Sequence, residues 1–225
     1  LAIIGSGPGG YVAAIRAAQL GARVALIEKD LLGGTCLNRG CIPTKALLHT
    51  AGLAAHAADV QGLTFDGLNT DLAAMVKNKD DVVAKLTKGV AGLMKKNKID
   101  VFEAAGTLAG EGAIALAKAD GSTETINAHN IIIATGSVPV KPKAFPFDDK
   151  VVLTSDELLS VTDKPTRLLI VGGGYIGCEF ACIFAPLGTQ VTIVEMMEQI
   201  LPGQDADSVK EVTRSFKKSK IKMLT

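Results

Sequence analysis

The chain has 225 residues, of which 48% are hydrophobic and 21% charged. That is globular composition, with length enough for one large domain or two smaller ones. The 24 Lys+Arg against 23 Asp+Glu leave a net charge of +1, which excludes the strong positive excess of a nucleic-acid sleeve or a polybasic membrane anchor. No apolar run approaches the ~20 residues of a membrane span, and four Cys are too few for a secreted disulfide scaffold of this length.

In chain order, Leu1–Ile4 predicts a short buried strand, with no basic lead-in or cleavage site to mark a signal peptide. Tyr11–Leu20 predicts an Ala-rich helix ending near Gly21, and Arg23–Glu28 a second strand. This is the β-α-β unit that builds parallel sheets. A Gly- and Cys-bearing loop is expected over Leu31–Pro43, then helices over Thr44–Ala58 and Asp71–Lys98, the latter with a solvated Lys- and Asp-rich face. Ile99–Phe102 reads as a strand. Ala113–Ala117 and Glu124–Ala128 form a hairpin around Asp120-Gly121. Ile131–Ala134 is a buried strand ending in Thr135-Gly136-Ser137.

Residues 138–150 carry Pro139, Pro142 and Pro146 and read as a linker. Thr154 and Glu157 suit a capping box for a short helix. Leu168–Val171 then opens a second β-α-β unit that closes at Gln190–Glu195. Asp205–Ser219 is an amphipathic helix with Val209, Val212 and Phe216 on one face, and Ile221–Leu224 is a last strand. A shift of 167 residues lays Gly21 on Gly188, Val24 on Val191, Ile27 on Val194 and Glu28 on Glu195. The expected fold is therefore α/β, with two Rossmann-like nucleotide-binding domains over 1–145 and 146–225, the second incomplete.

Each unit carries a glycine motif after its first strand: Gly5-x-Gly7-x-x-Gly10 and Gly172-x-Gly174-x-x-Gly177. Such glycines make a tight turn, admit a pyrophosphate to the backbone and let helix and strand pack closely. The helix N-terminus adds free N–H groups and a partial positive charge. An acid ends the next strand 23 residues on from the first glycine in both units, Glu28 and Glu195, placed to accept from ribose hydroxyls. Ordinary turn punctuation does not explain this doubled context. Glu195 is followed by Met196-Met197 with no Arg to hold a 2′-phosphate, so the second site should prefer NAD.

The stretch Gly33-Gly34-Thr35-Cys36-Leu37-Asn38-Arg39-Gly40-Cys41-Ile42-Pro43-Thr44-Lys45 is the most informative. Its two Cys are close enough for a strained local disulfide, given the backbone freedom of Gly40. A following helix start and Lys45 favour a thiolate, and paired thiols suit thiol–disulfide exchange. Metal binding would need more ligands than this segment offers, and no metal site is expected.

GGTCLNRGCIPTK, the ATG at 134–136, the two glycine motifs and GGGYIGCEF at 172–180, in this order, resemble the flavin-dependent pyridine nucleotide disulfide oxidoreductases, nearest to their lipoamide-directed member. The resemblance runs the length of the chain. It implies an FAD site of Gly5, Ser6, Gly7, Pro8, Gly9, Gly10, Glu28, Lys29, Gly34 and Thr35, completed by Gly106, Thr135, Gly136 and Ser137. Cys36 would exchange with the substrate's sulfur, and Cys41 would lie nearest the flavin. Lys45 would stand near the flavin's reactive edge, paired with Glu179. Gly172, Gly174, Tyr175, Ile176, Gly177 and Glu195 would hold NAD.

The activity so implied is oxidation of dihydrolipoamide, carried on an acyltransferase or a glycine-cleavage carrier protein. Electrons would pass through a Cys36–Cys41 disulfide and FAD to NAD⁺. Glutathione- or mercuric-reductase-like members and a non-catalytic FAD/NAD-binding module are the alternatives. The family's general-base His, in a His-x-x-x-x-Glu pattern, has no counterpart among His49, His56 and His129. The chain thus corresponds to about the first half of such an enzyme, expected to bind FAD poorly and lack turnover alone. The full enzyme would be a homodimer in the cytoplasm or an organelle matrix or stroma. Cys178 and Cys182, at i and i+4, read as buried packing, and Pro186 with Gly188 as a helix end.

Overall fold

The computed structural model describes residues 1–62 and 69–225. They divide into two compact units, one of residues 1–43 and 80–154, the other of 44–79 and 155–225.

In the first unit, β1 (Ala2–Ile4) leads through a glycine turn into α1 (Pro8–Gln19), then β2 (Ala25–Glu28). All three β1 residues are buried, as a strand covered on both faces requires. Pro8 sits in the first turn of α1, where a missing N–H costs nothing. α2 (Gly34–Asn38) and the start of α3 (Cys41–Asp59) follow, where a loop over Leu31–Pro43 was expected. α2 has only five residues and weak helix formers. Its closure comes from the Asn38 side chain, whose Nδ2 donates to Leu32 O (3.2 Å) and Gly34 O (2.9 Å). α3 begins at Cys41 rather than Thr44 because Pro43 falls in its first turn, where proline is tolerated.

α4 (Leu72–Lys96) leads into β3 (Asp100–Glu103). The polar face of α4 is mostly solvated, but Lys79 is buried and engaged in a polar contact. An antiparallel sheet of β4 (Ala105–Gly110), β5 (Ala113–Ala117) and β6 (Thr123–Asn127) follows, then β7 (Ile131–Ile133). The main sheet runs β3-β2-β1-β7, with all pairings parallel. β4 is absent from the sequence expectation because Ala105-Gly106-Thr107-Leu108-Ala109-Gly110 has little strand propensity. The site demands small residues: a Cβ on Gly106 would lie 3.2–3.5 Å from methyls of Ile27, Ile4 and Ile114.

In the second unit, α5 (Ser155–Leu158) precedes β8 (Arg167–Val171), α6 (Tyr175–Phe184), β9 (Gln190–Val194), α7 (Ala206–Lys218) and β10 (Lys222–Leu224). The sheet order is β10-β9-β8, again parallel. Asp205 caps α7 by accepting from Ser208 N (2.9 Å), and Val209 and Phe216 are buried. Pro186 lies just past α6, with Gly188 at φ 89°.

The compact units interleave along the chain, whereas the sequence pattern divides it at 145/146. The reason is packing. Leu47, Ala51, Leu72, Met75 and Val76 join Phe180, Ile183, Phe184 and Ile193 in one buried cluster. The segment 138–151 has no strand or helix but is locally tied. Asp148 Oδ1 accepts from the backbone N–H of Lys150, Val151 and Val152 at 3.1, 2.8 and 2.9 Å. Those bonds lower the Asp148 carboxyl from its ordinary value.

Candidate dinucleotide and redox sites

The 167-residue repeat holds at the level of single atoms. Ile3 pairs with Leu26, and Ile170 pairs with Ile193. Gly5 N donates to Ile27 O, and Gly172 N to Val194 O, both at 2.8 Å. Gly5 has φ 98° and Gly172 φ 109°, the left-handed region that favours glycine. A Cβ on Gly10 would stand 1.8 Å from Gly5 O, and one on Gly177 2.2 Å from Gly172 O. Only glycine therefore permits either helix to lie this close to its turn.

The two acids also act alike. Glu28 Oε2 accepts from Ser6 N (2.9 Å), and Glu28 Oε1 from Asp30 N (2.9 Å). Glu195 Oε2 accepts from Gly173 N (2.7 Å), and Glu195 Oε1 from Met197 N (2.9 Å). The Met197 and Gly173 amides hold the Glu195 carboxyl below its ordinary value. Each acid is thus an oriented carboxylate at the end of its second strand, beside bare backbone. Gly174 has nothing within 4 Å of a notional Cβ, and Gly7 only Gly34 Cα at 4.0 Å.

In the first unit, three segments meet at the dinucleotide turn. β7 places Ala134 beside Gly5, where a Cβ on Gly5 would lie 2.2 Å from Ala134 O. Thr135, Gly136 and Ser137 follow as exposed residues, with Gly136 at φ 71°. The redox segment arrives from the other direction: Gly33 N donates to Ser6 O and Ser6 Oγ, both at 3.2 Å. A Cβ on Gly34 would come within 2.6 Å of Gly7 Cα. Pro8, Gly9, Lys29 and Thr35 are exposed around this cluster. An open groove of about 440 Å³ starts at Glu28 and is walled by Asp30, Leu32, Met94, Lys95 and Val101 among others.

Cys36 is half-buried on α2, and Cys41 is exposed at the first residue of α3. Gly40 serves close approach: a Cβ there would lie 3.2 Å from Thr35 O and 3.6 Å from Cys36 Cα. The turn into α3 is thereby folded back on the Cys36 backbone. Arg39 pairs with Asp30 at 2.6 Å. Gly106 differs from the other expected site glycines, since its bare face fills the seam among Ile4, Ile27 and Ile114. Sequence reasoning missed Asn38 and Asp30, which act on near neighbours through Leu32, Gly34 and Arg39, and the Ser6 hydroxyl, whose partners Glu28 and Gly33 are distant in sequence.

In the second unit, Lys45 Nζ is hydrogen-bonded to Glu179 Oε1. The two side chains are 58% and 29% exposed, so the pair is partly solvated. Lys45 stands one helical turn after Cys41 on α3. Tyr175 and Ile176 are exposed at the start of α6. Cys178 is buried, and its thiol is pushed up to about 11, chiefly by desolvation and then by the charges of Cys182, Glu179 and Glu195. Such a thiol is inert packing. Cys182, one turn further along the same helix, is exposed. No group of three His, Cys, Asp or Glu able to hold a metal occurs among the described residues. No helix among them is long and apolar enough to cross a membrane.

The profile of one family, described as pyridine nucleotide-disulphide oxidoreductase, matches residues 1–225. The chain belongs to that family. It is 42% identical over 226 residues to dihydrolipoyl dehydrogenase 2, mitochondrial, of Arabidopsis thaliana, covering 99% of this chain and 45% of the relative. The crystal structure of LpdA from Mycobacterium tuberculosis superposes with TM-score 0.91 at 27% identity, over 99% of this chain and 50% of that one. The HOCl-induced flavoprotein disulfide reductase RclA of Escherichia coli matches at TM-score 0.82 and 32% identity, over 99% and 48%. The chain therefore spans about half the length of these relatives. Family members use FAD and NAD. The residues present fit two dinucleotides, each with a glycine cradle that a Cβ would fill and an oriented carboxylate.

Proposed function

We propose that this chain is the cofactor- and disulfide-bearing portion of a dihydrolipoamide-oxidising enzyme. The observation that carries this reading is the docking of the Cys36 segment onto the first dinucleotide turn. Gly33 N reaches Ser6, and Gly34 abuts Gly7. Exchangeable thiols are thereby built into a nucleotide site.

In this reading, Glu28 and the backbone over Gly5–Gly10 hold the FAD ribose and pyrophosphate, with Thr135, Gly136 and Ser137 beside them. Glu195 and Gly172–Gly177 hold NAD. Residues 1–145 serve the first cofactor, and 146–225 form part of the second cofactor's domain. A thiolate of dihydrolipoamide attacks Cys36 Sγ and breaks the Cys36–Cys41 bond. The second substrate thiol then displaces Cys36 from the mixed disulfide. Lipoamide leaves as the cyclic disulfide, and the two electrons and two protons remain on Cys36 and Cys41. Bound FAD supplies the link from this two-electron thiol chemistry to hydride transfer onto NAD⁺. Lys45, fixed by Glu179, holds a positive charge one turn after Cys41. The substrate arrives on a lipoyl-bearing carrier, and the full enzyme is a homodimer.

The test is to oxidise the chain, add dihydrolipoamide, and trap thiols with an alkylating agent for mass spectrometry. Cys36 and Cys41 should both become alkylated, and Cys36→Ser should leave no mixed disulfide to trap. If dihydrolipoamide leaves the pair oxidised while glutathione reduces it, the glutathione-reductase-like reading replaces this one. Tighter binding of NADPH than NADH would count on the same side, because Glu195 with Met196-Met197 offers a 2′-phosphate no cation.

A further inference from the structure

Ser6 is fully buried, and its hydroxyl is engaged by Glu28 and Gly33. Oγ–H donates to Glu28 Oε2 at 2.6 Å, and Oγ accepts from Gly33 N at 3.2 Å. Ser6 N also donates to Glu28. With its N–H and O–H both donated to Glu28, Ser6 has little to offer a phosphate. Gly33 is the residue that opens α2, and Cys36 lies three residues further on.

The second unit shows what this position does without a redox segment. Shifted by 167, Ser6 becomes Gly173 and Gly33 becomes Ile200. A Cβ on Gly173 would meet Ile200 Cγ2 at 3.0 Å and Glu195 Cβ at 3.2 Å. There the residue at the turn is small and the incoming residue large. In the first unit the sizes are reversed, and a hydroxyl takes the space. A backbone bond to the turn is found in both, with its donor one residue further on in the second unit: Gly33 N donates to Ser6 O (3.2 Å), and Leu201 N to Gly173 O (2.7 Å). Even the left-handed residue recurs, with Gly34 at φ 60° and Leu201 at φ 52°. The hydroxyl is thus the element added where the chain goes on to carry Cys36.

We propose that Ser6 is a positioning residue for the Cys36 thiol, its hydroxyl pinning the start of the Cys36 helix to the Glu28 carboxylate. The inference rests on reading Cys36 and Cys41 as the exchanging pair. It is tested on the reduced full chain by the ratio of Cys36 to Cys41 alkylation rates, with Cys41 as the internal reference. Ser6→Ala, and Ser6→Gly copied from the second turn, should each raise the ratio about threefold or more, the scale that loss of the neutral Gly33 N–H···Oγ bond alone supports. Glu28→Leu, which removes the hydroxyl's acceptor, should raise it in the same direction. Ser6→Thr, which keeps the hydroxyl, should return it toward the unsubstituted value. Circular dichroism identifies the variants that hold their fold, and any one of them suffices. An unchanged or lowered ratio in a folded hydroxyl-less variant overturns the proposal. Failure of the dithiol reading shows separately, as an oxidised pair that dihydrolipoamide does not reduce in the unsubstituted chain.

Discussion

Replacing Gly34 by Ala tests whether close backbone contact, and not only backbone freedom, joins the redox segment to the dinucleotide turn. Gly34 has φ 60°, and an L side chain there costs about 1–2 kcal/mol. Its Cβ would also stand 2.6 Å from Gly7 Cα and 3.0 Å from Gly7 N, an approach that only backbone movement relieves. Overpacking of this kind costs about 1–3 kcal/mol, for a total of about 2–5 kcal/mol. Gly21→Ala is the control, with φ 91° and nothing within 4 Å of its Cβ, so only the strain applies.

With two compact units, a single global unfolding energy is poorly defined, and hydrogen exchange of the buried β1 amides reads the first unit alone. At a tenfold change per 1.4 kcal/mol, Gly34→Ala should speed that exchange by about 30-fold to 4 × 10³-fold. Gly21→Ala should speed it by about 10-fold. Equal effects of the two substitutions would refute the contact argument.

Four further outcomes follow from the same structure. Lys45→Met should lower stability in a thermal scan by no more than about 1 kcal/mol, because the Lys45–Glu179 pair is partly solvated; a loss of several kcal/mol would mean a buried pair. Iodoacetamide at mildly alkaline pH should modify Cys41 long before Cys178, since burial pushes the Cys178 thiol up to about 11; peptide mass spectrometry after timed quenching reads the order. The Glu195 carboxyl is depressed in the fold, so its stabilising contribution is present above the ordinary value of 4.5 and is lost as pH falls through the lower folded value. The stability difference between the unsubstituted chain and Glu195→Gln, followed by denaturant titration across pH, should therefore vanish only on the acid side. Gly106→Ala should cost about 1–3 kcal/mol by crowding Ile4, Ile27 and Ile114, measured by denaturant titration of the first unit.

What the sequence determined was set by short-range physics. Apolar runs, the glycines at their turns, the acids that close β2 and follow β9, and the closely spaced Cys36 and Cys41 all state their requirement within a few residues. The repeat register of 167 followed from them. Tertiary structure decided the rest. β4 exists because a strand of small residues fits against the isoleucines of the main sheet, which its own propensity does not show. α3 and the start of α4 join the second unit's core because Leu47, Leu72 and Met75 find Phe180 and Phe184 there. The Ser6 hydroxyl gained its partners, Glu28 and Gly33, only when folding brought residues 22 and 27 positions away within hydrogen-bond distance. A hydroxyl in a glycine motif carries no local signal of such a partner, whereas a glycine forced to positive φ does.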